Sequence, residues 1–154
     1  MRSVDRQAEL QRWIEARLNT APVMLAAASA DASFRRYFRV HGAGDTLIAM
    51  DAPPEREDCR PFVRISSLFG EAGVVVPQVF AHDFDQGFLL LSDLGNRTYL
   101  DELNDASADM LYKDAIRALV KIQIASRPDV LPPYDRALLA RELKLFPEWY
   151  VEHQ

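Results

Sequence analysis

Apolar and polar positions follow two rhythms along this chain, and the rhythm changes near residue 92. Over residues 4–18, Leu10, Ile14 and Leu18 recur at i, i+4 and i+8 beside Trp13, which predicts an amphipathic helix. Residues 19–22, Asn-Thr-Ala-Pro, end it. A first strand is expected at 23–28 (VMLAAA), then a turn of small residues at 29–33. The segment FRRYFRV, 34–40, alternates cleanly, with Phe34, Arg36, Phe38 and Val40 on one face and Arg35, Tyr37 and Arg39 on the other. TLIAM, 46–50, is the third strand, closed by Asp51-Ala52-Pro53-Pro54.

A helix follows at about 58–72, with Phe62, Ile65 and Phe69 on one stripe and Gly73 at its C-terminal end. Two more strands are predicted at 78–83 and 88–91, joined through the turn at 85–87. Beyond residue 91 only the helical period remains. Thr98 to Asp101 reads as a helix-start box. Leu111, Ala115, Leu119 and Ile122 keep register in a helix over 106–126. A proline-containing break at 127–133 precedes a last helix over 135–153, which Pro147 kinks or divides. Five strands with one helix after the third, then a helical segment, make an α+β fold. The apolar strand 88–91 does not turn back to a sixth strand. It stops at Ser92-Asp93-Leu94-Gly95 and leads into helices.

Composition narrows the picture. The apolar fraction of 49% and charged fraction of 27% are those of a globular chain. A net charge of −5 argues against a general nucleic-acid surface. Cys59 is alone, so no internal disulfide forms, and the histidines show no metal-ligand spacing. With no secretory leader and no apolar run of spanning length, the expected location is the cytoplasm.

Three places could carry chemistry. The small-residue turn 29–33, with Arg35, Arg36 and Arg39 after it, could cradle a phosphate with backbone N–H groups, hydroxyls and positive charge. An ordinary hairpin turn with a wetted arginine face explains the same residues. The segment 92–95 has backbone groups able to meet a flat heterocycle, or is a plain linker. Glu55, Glu57, Asp58 and Glu71 flank the helix after the third strand, and could pair with an arginine or simply sit in solvent at a helix start.

ASADASFRRYFRV, LIAMDAPPE, EAGVVVPQVFAHD, GFLLLSDLGNRTYLDEL and PPYDRALLARELKLFPEWYVEH, in that order, resemble the N-terminal part of the aminoglycoside-phosphotransferase-like kinases. Within that family they are most similar to the bacterial N-acetylmuramate/N-acetylglucosamine anomeric kinases of peptidoglycan recycling. The resemblance implies a protein-kinase-like fold: a five-stranded nucleotide lobe (1–91), a hinge (92–96) and the start of a helical substrate lobe (97–154). It implies ATP between the lobes, with Ser29, Asp31, Ser33 and Arg35 at its phosphates and Leu91, Ser92, Asp93 and Leu94 at its adenine.

Two departures stand out. The lysine of the family's third strand is replaced by Met50, and Lys113, Lys121 and Lys144 all follow the hinge. Arg35 or Arg39 is therefore expected to serve the phosphates. The family's His-x-Asp catalytic loop and its later metal-binding Asp are absent, so Mg²⁺ ligands are expected outside these residues and the chain alone is expected to be inactive. It is read as the N-terminal portion of an amino-sugar kinase. The alternatives are a catalytically dead binding module and a kinase for another hydroxylated small molecule. The apolar face of 135–153 is expected to self-associate or to pair with a C-terminal half.

Overall fold

The computed structural model describes residues 3–20, 22–30, 33–42 and 44–151. By internal contacts the chain forms two compact units, Met1–Ile124 and Ala125–Gln154.

The first unit is built on a five-stranded antiparallel sheet of order β1-β2-β3-β5-β4. Its strands are β1 (Met24–Ala30), β2 (Arg36–His41), β3 (Leu47–Asp51), β4 (Val79–Asp83) and β5 (Phe88–Ser92). Helix α1 (Ser3–Leu18) covers one face. Leu10, Trp13 and Ile14 pack there with Val23, Phe38, Val40, Ala49, Phe88 and Leu90 in one buried cluster. The other face holds Met50, Leu89 and Leu91 with Ala52 and Cys59, and Phe62 and Val63 of α2 (Arg60–Glu71) pack against them. Central β3 and β5 thus have both faces covered, which is why β5 reads as an unbroken apolar run. Burial also pushes the Cys59 thiol up.

The predicted turn at 29–33 needs correcting. Strand β1 runs on to Ala30, with Ser29 opposite Tyr37 and Ala30 opposite Arg36. A register shift between Ala27 and Ser29 absorbs the extra residue, and the ladder continues beyond it. Ser29 is a strand residue.

At this same end of the sheet, where Arg36 pairs with Asp51, the Asp51 side chain is fully buried. It accepts Arg6 Nε at 3.1 Å and Nη2 at 2.5 Å from α1, and Arg36 Nε at 3.1 Å and Nη2 from β2. Arg6 Nη2 also reaches the Gln86 carbonyl at 2.7 Å. Gly87 lies against this corner with φ +71°, and its carbonyl accepts the Ala52 N–H at 2.8 Å. A Cβ there would fall 1.8 Å from the Ala52 oxygen, so only glycine fits.

After β5, Thr98 caps α3 (Tyr99–Glu102) through the expected reciprocal box with Asp101. Helix α4 (Ala108–Ala125) follows, and its Lys121 Nζ donates to the Gly73 carbonyl, just past α2, at 3.0 Å. In the second unit α5 (Arg136–Leu145) starts on an Asp135 cap that accepts the Leu138 N–H. The predicted single helix divides: Phe146–Val151 is a π-helical turn, placed where Pro147 has no N–H to donate. No helix among the described residues is long and apolar enough to cross a membrane.

Candidate functional site

The ladder pairs Tyr37 with Met50 and Arg39 with Ile48, while Ile48 and Met50 oppose Leu91 and Leu89. Arg39, Tyr37, Ile48 and Leu91 therefore share the face opposite α1. Where β5 ends, this face opens into a cleft of about 330 Å³. Its apolar walls come from Ala28, Ile48, Phe62, Pro77 and Leu91, with Tyr37 beside them. Its other side is the connector Ser92 to Gly95, with Arg39.

The connector is held by side chains rather than by a ladder. Arg39 Nε donates to Asp93 Oδ2 at 2.6 Å and its Nη2 to Oδ1 at 3.1 Å, a two-pronged pair of the strong kind. The same Nη2 reaches the Gly95 carbonyl at 3.2 Å, and the Gly95 N–H donates back to Asp93 Oδ1 at 2.8 Å. The Arg39 hydrogen bonds, opposed by burial and helped by the Gly95 N–H, hold the Asp93 carboxyl well below the usual carboxylate range. The same bonds raise the Arg39 guanidinium. Ser92 is tied to Gln78 twice: its N–H donates to the Gln78 carbonyl and its Oγ accepts the Gln78 N–H, both at 2.9 Å. Among the described residues the backbone of Leu94 makes no hydrogen bond, and its side chain is exposed. It is thus available to a ligand in the cleft.

A second hollow of about 350 Å³ shares Phe62 and Pro77 with the cleft and is bordered by Arg35 and by Ile65 and Phe69 of α2. Arg35 Nη2 donates to Glu57 Oε2 at 3.4 Å, and Glu57 Oε1 accepts the Phe34 N–H at 3.3 Å. Ser33 Oγ accepts the Arg35 N–H at 3.2 Å.

Of the residues singled out from sequence, Arg39, Leu91, Ser92, Asp93 and Leu94 meet in the cleft. Arg35 lies in the adjoining hollow and Ser33 beside it. Ser29 lies in β1, and Asp31 lies outside the described residues. Tyr37, Ile48 and Phe62 were missed as cleft walls, although Tyr37 shares the alternating face of Arg35 and Arg39 and Phe62 heads the helical stripe. Met50 is fully buried, so β3 presents no charge to the cleft. No group of three or more acidic, histidine or cysteine side chains among the described residues could hold a metal ion.

The model of the phosphotransferase enzyme family matches residues 25–154. The chain is 55% identical to an N-acetylmuramate/N-acetylglucosamine kinase of Pseudomonas aeruginosa over 130 residues, covering 84% of this chain and 38% of that protein. It is 58% identical over 127 residues to the protein of that name from Pseudomonas putida, covering 82% and 38%. A third, from Neisseria meningitidis serogroup B, is 41% identical over 153 residues, covering 96% and 45%. The chain spans less than half the length of these curated relatives.

Proposed function

The chain belongs to the phosphotransferase enzyme family, and from that premise we propose that it is the ATP-binding part of a small-molecule kinase that phosphorylates the anomeric hydroxyl of N-acetylmuramate or N-acetylglucosamine. The observation that carries this is the cleft at the end of β5, where apolar walls meet the unpaired Leu94 backbone on a connector fixed by Arg39 and Asp93. A flat purine suits such walls, and the Leu94 N–H and carbonyl are the groups that would read its edge. Residues 92–96 then act as the hinge between a nucleotide lobe, 1–91, and helices that begin the substrate lobe. The sugar is taken from the names of the relatives.

The residues present fit the nucleotide but not its metal. Mg²⁺ would supply charge stabilisation to the transferring phosphoryl group. No group of three or more metal-ligating side chains among the described residues suits it, and its ligands are expected in sequence that the relatives have beyond the matched part. The exposed Leu139, Leu143, Phe146 and Tyr150 would pair with that sequence, or with a second copy of the chain.

Two measurements test the proposal. Calorimetric titration of the chain with ATP is expected to show saturable binding, and a flat titration sinks the reading. The chain extended to the length of its relatives is expected to release ADP only with amino sugar and to place phosphate on C1 by NMR. The 154-residue chain alone is expected to release none. ATP binding by the extended protein without transfer would select the catalytically dead module instead.

A further inference from the structure

Two arginines face the cleft side of the sheet, and their surroundings differ. Arg39 is committed: three hydrogen bonds, to both Asp93 oxygens and to the Gly95 carbonyl, turn its fork toward the connector. Arg35 is held loosely, by a single 3.4 Å contact to Glu57 and by the Tyr37 hydroxyl. Its Nε has no hydrogen-bond partner among the described residues although it is shut off from solvent. A guanidinium has five N–H donors, so most of its capacity is unspent. Its side chain is 28% exposed, enough to meet a ligand.

Position sharpens the contrast. Four residues of extended chain separate the two, roughly 13 Å. That is comparable to the reach from the base to the terminal phosphate of an extended nucleoside triphosphate. Arg39 lies at the connector end, and Arg35 at the end toward the β1–β2 turn. On β3, facing the space between them, Met50 is fully buried and carries no charge. We infer that the two arginines divide one nucleotide between them: Arg35, set against Glu57, binds the polyphosphate, while Arg39 only positions the base-binding connector through Asp93. This rests on the nucleotide reading above and assigns roles within it. A long carboxylate contact is readily exchanged for a two-pronged bond to phosphate, which matches the planar fork better.

The test compares ATP with adenosine, titrated calorimetrically into the full chain and its variants, with circular dichroism to check folding. Arg35→Gln is expected to lower ATP affinity by about tenfold or more, the loss of one charge-assisted contact, and to leave adenosine binding within about twofold. Arg35→Lys keeps the charge and is expected to retain most of the preference for ATP. Arg39→Gln is expected to weaken ATP and adenosine by the same factor. Equal losses on both ligands for Arg35→Gln, or none, overturn the assignment, as does an ATP-selective loss for Arg39→Gln. If the unaltered chain binds neither ligand, the nucleotide reading fails and this inference with it. If it binds both and only the variant pattern is wrong, the division of roles alone fails.

Discussion

Asp51 and Asp93 are both shielded carboxylates gripped by arginine, yet they sit in different parts of the fold and take different numbers of guanidiniums. Asp51 is fully buried beneath α1 and takes one guanidinium from a helix 45 residues away and another from the neighbouring strand. Asp93 sits in an irregular connector at the rim of a cleft and takes one guanidinium, from β2. In the first site the carboxylate is fully enclosed and both guanidiniums converge on it, so removing its charge leaves two partly buried cations facing each other. In the second the pair fixes where a loop sits, and its value lies in placement. The same pair of residue types thus serves the core in one region and the cleft in the other.

The largest expected effect breaks the first site. Asp51→Asn leaves Arg6 and Arg36 without their charge partner and should cost about 3–5 kcal/mol in urea unfolding. A loss below about 1 kcal/mol would mean that the enclosure is not as tight as its burial suggests. Next is the glycine beside it. Gly87→Ala sets a Cβ against the Ala52 carbonyl at a positive φ, and should cost more than about 1 kcal/mol by the same measurement. Unchanged stability would show that this corner yields.

The smallest effect concerns Asp93 and appears as a pH dependence. Its folded carboxyl lies below the usual range, so its contribution is complete above the unfolded value of ~3.9 and is lost as pH falls further, through the folded value. Between pH 7 and pH 3 the urea midpoint of the unaltered chain should therefore fall further than that of Asp93→Asn, which has no such increment to lose. Parallel pH profiles would mean the Arg39 pair does not form in solution. Asp83 and Asp101, also lowered by local hydrogen bonds, stay in both proteins and cancel in the comparison.

Several of these features were legible before any coordinates. Strict alternation over 34–40 put Arg35, Tyr37 and Arg39 on one face; β2 begins only at Arg36, and Tyr37 and Arg39 keep that face within it while Arg35, just before the strand, borders the adjoining hollow, because period two is a local property of extended chain. The α1 stripe of Leu10 and Ile14 with Trp13 became the core of one sheet face, and the Thr98 box formed as written. Other features were hidden. Asp51 read as the residue closing the third strand, since nothing near it in sequence announces Arg6. Ser29 read as turn because small residues suit turns, whereas pairing with Tyr37 draws it into β1. The widened turn at Phe146–Val151 was visible only as a warning from Pro147.

What the residues determined alone was set within a turn or two of chain: the order of strands and helices, the Thr98 cap, and the face on which Tyr37 and Arg39 lie. The fold decided which arginine is spent. Arg39 meets Asp93 across 54 positions and Arg35 meets Glu57 across 22, and such contacts exist only once β2, β3 and β5 are in register. Periodicity fixes the direction in which a side chain points, but its partner is chosen by chain brought close from elsewhere.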